Sequence, residues 1–200
     1  MASSRFVRHV KWWFVILPVV SSFVLPFVPD RALFSISDAE SQATVDALGA
    51  AKAGEATDRA NALFRRLFVE SGAVQATLKD RGNSDLDAEG SETFAHNWAH
   101  QFWMLVYRAM YRAVVMKTWL AGTIVLCVAA CVDGTMRRKM RAAAAGYASP
   151  LSFHLAMHGV LMVLGAAFSV LMLPVPLVAQ CWTAVAVILP LLLWVANSSS

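Results

Sequence analysis

The apolar positions of this chain gather into four long runs, with the polar positions between them. The runs extend from Trp12 to Val28, Ala113 to Val132, Leu151 to about Leu173, and Pro176 to Ala196. About 20 helical residues, each rising about 1.5 Å, cover the roughly 30 Å hydrocarbon core of a bilayer, so each run is long enough or nearly so to cross as a helix. Pro18 and Pro26 in the first run are better tolerated in a membrane helix than in a soluble one. Lys117 lies near one end of the second run, where its stem stays in hydrocarbon and its ammonium reaches the headgroups. Pro174-Val175-Pro176 leaves a very short connection, predicting a tight antiparallel hairpin of the last two helices with proline breaking the helix at the turn. The pattern predicts an all-α, multi-pass membrane protein with transmembrane helices at 12–29, 113–132, 151–173 and 177–196. Residues 30–112 form a helical insertion between the first and second crossings, and 133–150 a basic loop. Residues 1–11, 174–176 and 197–200 are the N-terminal segment, a short turn and the C-terminal tail.

The long insertion also carries helical periodicity. Ser37-Asp38-Ala39-Glu40 has the spacing of a capping box, opening an Ala-rich helix to about Ala53. Ala60, Leu63, Phe64, Leu67 and Phe68 follow the i, i+3, i+4, i+7, i+8 spacing of one apolar face. That face is expected to pack within the same small domain, with the bilayer surface or a partner as alternatives. Asp80-Arg81-Gly82-Asn83-Ser84-Asp85 is a turn-rich interruption. From about Ser91 the chain is helical again, with Phe94, Trp98, Phe102, Leu105 and Ala109 on one face and no breaker before the second apolar run. The aromatics Trp103, Tyr107 and Tyr111 nearby suit a membrane-interface belt.

Composition supports the membrane reading. Of the 200 residues, 58% are hydrophobic and 15% charged, with mean hydropathy +0.55. A soluble domain carries about 25% charged residues. A globular enzyme, a disordered tail and a simple nucleic-acid-binding domain are therefore all poor fits. The net charge of +4 hides a division. Residues 30–112 hold 12 acids and 9 bases, whereas the rest of the chain holds Asp133 and eight bases. Basic residues in short flanks mark the cytoplasmic side. Arg5, Arg8 and Lys11 at one flank, and Arg137, Arg138, Lys139 and Arg141 at another, then place both termini on the cytoplasmic side and residues 30–112 outside. Arg108 and Arg112, at the membrane-proximal edge of the acidic region, run against this topology. The first run reads as an uncleaved anchor, because it is long for a signal-peptide core and no small-x-small site follows Phe27; a cleaved signal is the alternative.

Candidate chemistry is sparse. His96 and His100 share a helical spacing, as do His154 and His158, but neither pair has an adjacent Cys or a convincing carboxylate beyond Glu92. Cys127, Cys131 and Cys181 lie in apolar runs and read as small buried hydrophobes. Gly165 and Ser169 suit close helix packing, and Trp182 and Trp194 read as interface anchors of the last helix. No nucleophile–base pair or phosphate-binding glycine loop is present, so no catalytic residue, cofactor or metal ligand is assigned. Asp133 to Arg141 is the most informative stretch. An aspartate at a membrane edge wants a partner, and Arg137 stands at the i+4 position from it. The four bases form either a topology anchor on anionic lipid headgroups or a protein-docking site; direct nucleic-acid contact is not required.

Asp133-Gly134, Arg137-Arg138 and Arg141, followed by Gly146, Ser149, Phe153-His154 and Ala156, resemble a family of membrane proteins encoded in bacterial integrating conjugative elements and related transfer plasmids. In that family an Asp-Gly at a helix end leads into an Arg-rich segment and an aromatic-His element. Tyr147-Ala148 and Met157-His158 depart from its more charged pattern. The resemblance implies a non-enzymatic inner-membrane component that supports a type IV secretion or conjugative DNA-transfer apparatus. Asp133, Gly134, Arg137, Arg138, Arg141 and His154 would be its docking or structural residues, transfer-system proteins its partners, and self-association an open possibility. The alternative is an accessory membrane protein for immunity or exclusion against a second element, with a small transporter ranking below it.

Overall fold

The computed structural model describes residues 11–28, 30–78, 89–147 and 149–199, and every regular element among them is helical. The basic residues Arg5 and Arg8, His9, and the turn expected at Asp80 to Asp85 lie outside the described residues, as does the side chain of Glu92. The first apolar helix, α1, is Leu17–Val24, with a π-helical lead-in over Trp12–Ile16 and a 3-10 tail over Leu25–Phe27. Next come α2 (Asp38–Leu48), α3 (Ala50–Phe64) with a π-helical tail over Arg65–Val69, and α4 (Ala73–Leu78). The long helix α5 (Glu89–Ala143), α6 (Pro150–Met172) and α7 (Gln180–Ser199) complete the chain.

Among the described residues, three stretches are long and apolar enough to cross a membrane: Phe94–Ala143 within α5, Pro150–Met172 and Gln180–Ser199. The fourth expected crossing is shorter, Phe14–Phe27. Its 14 residues rise only about 21 Å, against a hydrocarbon core of roughly 30 Å. The chemistry of its end is local. Pro26 supplies no N–H to the helix, and Val28 leaves in extended backbone with φ −73° and ψ 121°. The described residues thus form an all-α fold with several long apolar helices, three of them of full span length. The basic segment expected as a loop from 133 to 150 is helical as far as Ala143. The connection expected at 174–176 is longer, because α7 begins at Gln180.

The chain divides into two compact units. One comprises Leu17–Val115 and Leu171–Val178. In it, Ser37 caps α2, its Oγ accepting the Glu40 N–H at 3.3 Å. That satisfies one of the four orphan donors of a helix start. Gly49, at φ +82° and ψ 153°, separates α2 from α3 in a conformation that only glycine adopts readily, so the expected helix to Ala53 is two helices. Ala53, Ala56 and Ala60 form the buried stripe of α3. Phe64 and Phe68 continue it against Trp103 and Tyr107 of α5, with ring centroids 5.2–6.1 Å apart. This is packing within one domain, as the periodicity implied. Leu63 and Leu67, expected on the same face, are instead exposed (43% and 53%): the row that packs is Ala60, Phe64 and Phe68, four residues apart, and the two leucines lie beside it. The α5 aromatics Phe94, Trp98 and Phe102 stack against Phe23 and Phe27 of the first helix. The Trp98 indole N–H donates to the Phe23 carbonyl at 3.2 Å, just before that helix tightens.

The other unit comprises Met1–Ile16, Met116–Val170 and Ala179–Ser200. Its core includes Ala156, Val160, Trp182, Ala186, Leu189 and Ala196. Gly165 and Ser169 are both buried, as a close-packing small pair requires. Trp182 is 3% exposed, so it is a core residue rather than the interface anchor expected from its position near a helix end. α5 stops in a turn in which Gly146 N–H bonds the Arg141 carbonyl at 2.9 Å, and Ala145 adopts φ +53°. A left-handed residue after a helix is usually glycine, since the alanine Cβ costs about 1–2 kcal/mol there. Ala145→Gly should therefore raise stability by about 1 kcal/mol, read as a higher unfolding midpoint of the detergent-solubilised protein. An unchanged or lower midpoint would contradict this account of the helix end.

Candidate functional site

The stretch singled out in the sequence lies in the last turns of α5. Gly134 is buried against α7. A Cβ added there would meet the Asn197 Cβ at 2.8 Å and the Trp194 carbonyl oxygen at 3.0 Å. Glycine is therefore required by approach rather than by backbone angle. The contact brings Trp194 to the charges beside it. Its indole N–H donates to Asp133 Oδ2 at 2.5 Å, and the Arg137 guanidinium stands 4.8 Å from its ring centroid. The i, i+4 ion pair expected between Asp133 and Arg137 is replaced by this arrangement, in which one indole serves the acid with its N–H and the base with its face. Trp194 is thus part of the cluster.

Arg138 and Lys139 are exposed on the same turns. Arg141 packs its stem on Gly146, where an added Cβ would lie 2.5 Å from the Arg141 Cγ. His154, near the start of α6, makes its ring contact with neighbouring Phe153 at 5.6 Å and not with the basic cluster. The structure therefore joins Asp133, Gly134 and Arg137 through α7 and leaves His154 apart. Among the described residues, no group of three or more His, Cys, Asp or Glu side chains is placed to hold a metal ion. Cys131 accepts from Asn197 Nδ2 at 3.4 Å.

The other unit contains a second polar site. Glu40, Arg108 and Arg112 are each no more than 2% exposed. Arg112 Nε donates to Glu40 Oε1 at 2.6 Å and its Nη2 to Oε2 at 2.9 Å, while Arg108 Nη2 donates to Oε2 at 2.7 Å. Other guanidinium donors meet backbone carbonyls. Arg108 reaches the Leu33 carbonyl at 2.6 Å and the Val175 carbonyl at 3.2 Å. Arg112 reaches Leu173 at 2.7 Å and also Val175. The Leu177 N–H donates to Glu40 Oε2 at 3.4 Å. Two cations and one anion leave a net positive charge in a buried place, and the carbonyl dipoles offset part of it. Arg108 Nε has no hydrogen-bond partner. The carbonyls are available for a chemical reason: Pro174 and Pro176 bring no N–H, and the last carbonyls of a helix have no partner within it.

Burial alone would raise the Glu40 pKa, but hydrogen bonds from Arg112 and Arg108, together with their charges, outweigh it and hold the carboxyl below its ordinary 4.5. Glu40 was legible only as the last member of a capping box. Its N–H does meet Ser37, but its side chain is committed elsewhere. The signal for the cluster was the misfit of Arg108 and Arg112, two bases four residues apart at the edge of an acidic region.

Removing one partner from a buried charge network costs about 3–5 kcal/mol, because the other charges remain buried and unpaired. Glu40→Ala should reduce unfolding stability by that order, measured in denaturant with the protein in detergent. Because the folded-state pKa is lowered, the ion-pair contribution is fully present above about 4.5 and is lost as pH falls through the lower folded value. Glu40→Gln should abolish this acid limb; an unaltered pH profile of the unfolding midpoint would argue against the assignment. Gly134→Ala should separate α5 from α7 locally and weaken the Trp194 contacts, costing about 1–3 kcal/mol by overpacking. The check is the Trp194 contribution to fluorescence, obtained by difference against Trp194→Phe.

No curated protein and no solved structure matches the chain. A family model does: residues 27–199 match the family described as IncC plasmid conjugative DNA transfer protein DtrJ-like. The match runs through both polar clusters and all three span-length helices. The sequence resemblance to membrane proteins of conjugative elements pointed to this same general context. The chain belongs to the DtrJ-like family.

Proposed function

We propose that the protein is a non-enzymatic inner-membrane component of a conjugative DNA-transfer system, acting in assembly or operation of its type IV secretion apparatus. The observation that carries this reading is the family match over residues 27–199 to a conjugative DNA transfer protein family, in a chain whose described residues include three span-length helices. In this reading the segment before Asp30 makes a fourth crossing and both termini are cytoplasmic. Residues 30–112 stand in the periplasm, and the basic end of α5 faces the cytoplasm. Arg108 and Arg112 no longer oppose that orientation, because buried arginines paired to Glu40 are not solvated flanking charges.

The basic end of α5 is the proposed docking surface for a transfer-system protein. Arg137, Arg138 and Lys139 are exposed there on a helix held to α7 through Gly134 and Trp194. A rigid helix end presents charge at a fixed spacing, which favours recognition of an acidic protein surface. The periplasmic helices would meet envelope partners.

Crosslinking in donor membranes, followed by purification of the full-length protein, should recover transfer-system proteins. The triple charge reversal Arg137→Glu, Arg138→Glu and Arg141→Glu should reduce that recovery and lower transfer about tenfold or more, since each loss of about 1.4 kcal/mol in docking is a factor of ten. Normal transfer after deletion, with no transfer protein recovered, would overturn the proposal. Inverted orientation of reporter fusions in the triple variant would reduce the cluster to a topology anchor.

A further inference from the structure

A groove of about 570 Å³ runs between α5 and α7. Its floor is shallow-sided because the residues there are small or ring-closed: Ala129 and Ala130 on α5, Ala186 and Pro190 on α7. One end closes at Asp133 and Trp194, the two residues joined by the indole hydrogen bond. The rest of the lining is aliphatic, and both walls belong to span-length helices. In a bilayer such a surface is covered by hydrocarbon, which fills an apolar groove without exposing polar backbone.

The closed end has a distinct electrostatic character. Beyond Asp133, Arg137 and Arg141 follow at successive i+4 positions, with Arg138 and Lys139 beside them. One acid and four bases thus fall within the last turns of α5, just past the end of the groove. Asp133 has one oxygen engaged by Trp194, and Arg137 lies over the same indole. Stacking uses the face of a guanidinium and leaves its N–H edge suited to bidentate binding of a phosphate. A chain-shaped apolar groove that ends at a basic cluster has the two halves of a phospholipid site: a place for the tail and a charge for the head.

We propose that the α5–α7 groove binds an anionic phospholipid, one acyl chain lying along Ala129, Ala130, Ala186 and Pro190 and the phosphate held at Arg137 and Arg141. The inference rests on the membrane-spanning part of the functional reading and not on any transfer partner. It requires no particular sidedness. A bound lipid would make the basic end of α5 sensitive to the charge of the surrounding leaflet.

The test uses the full-length protein in nanodiscs that contain phosphatidylcholine plus a fixed minor fraction of a phospholipid brominated on its acyl chains, either phosphatidylglycerol or phosphatidylcholine. Bromine quenches tryptophan on contact, and the Trp194 signal is obtained by difference against Trp194→Phe. Brominated phosphatidylglycerol should show about fivefold higher occupancy than its phosphatidylcholine counterpart for each basic residue engaged. Arg137→Gln should remove about that factor, Arg137→Lys, which keeps the charge but not the paired N–H edge, should retain only part of it, and Ala130→Phe, which fills the floor, should lower quenching by both lipids. Equal quenching by the two lipids would overturn the proposal and leave only bulk solvation of the groove. Protection from both, with a dimer in native mass spectrometry, would overturn it in favour of a second copy. The readout contains no transfer protein, so lipid preference with normal transfer after deletion, or the reverse, separates this proposal from the functional one.

Discussion

A single carboxylate organises the unit that contains most of the inter-run region. Glu40 satisfies two arginines that could not otherwise remain buried, and those arginines in turn satisfy carbonyls from Leu33, Leu173 and Val175. The arrangement is mutual. Without Glu40 the two guanidinium groups lose the carboxylate that both of them bond; without the arginines the proline-flanked turn loses the donors that its carbonyls meet. Packing of Phe34, Thr44, Leu105 and Ala109 excludes solvent around the same helices, which strengthens the charge interactions and raises the cost of losing any one of them. The substitution of a whole apolar set for the triad would remove the charges but leave the three carbonyls wanting donors, so this cluster has a structural task that hydrophobic packing does not replace.

The second polar arrangement works by a different principle. Asp133, Arg137 and Trp194 meet because Gly134 lacks a side chain, and steric permission therefore comes before electrostatics. An alanine would keep every charged group and still disturb their meeting. The same closeness leaves the neighbouring groove lined with alanine and proline, so the helix contact and the space beside it have a common origin in small residues.

What the sequence revealed was whatever depends on local period or length. The apolar runs, the Ser37 cap and the continuous helix through Phe94 and Met110 follow from spacing that any few turns contain. The short first helix was harder to read, since hydropathy counts residues such as Phe27 and Val28 without registering that the helix tightens and ends there. Leu63 and Leu67 fit the period as well as Phe64 and Phe68 do, and periodicity alone does not say which of two adjacent rows meets the aromatics of α5. Trp182 was misread because nearness to a helix end says nothing of which neighbour covers it. The Glu40 cluster was hidden for another reason. Its partners are 68 and 72 residues away, and Glu40 already had a sufficient local explanation as a capping residue. Only the discord between two arginines and the charge pattern around them marked the place.

The Leu177 contact has a consequence for the order of events in making the protein. Glu40 and Leu177 are separated by 137 positions, and the cluster also needs the carbonyls of Leu173 and Val175. During synthesis from the N-terminus, Glu40 and then both arginines emerge long before the turn that completes their coordination. Until that turn arrives, the nascent chain carries a charged centre lacking part of its backbone shell. Closure of the centre is therefore a late event, tied to the emergence of the hairpin turn, and a chain arrested or truncated before it retains an incompletely satisfied polar patch of the kind that membrane quality control can engage.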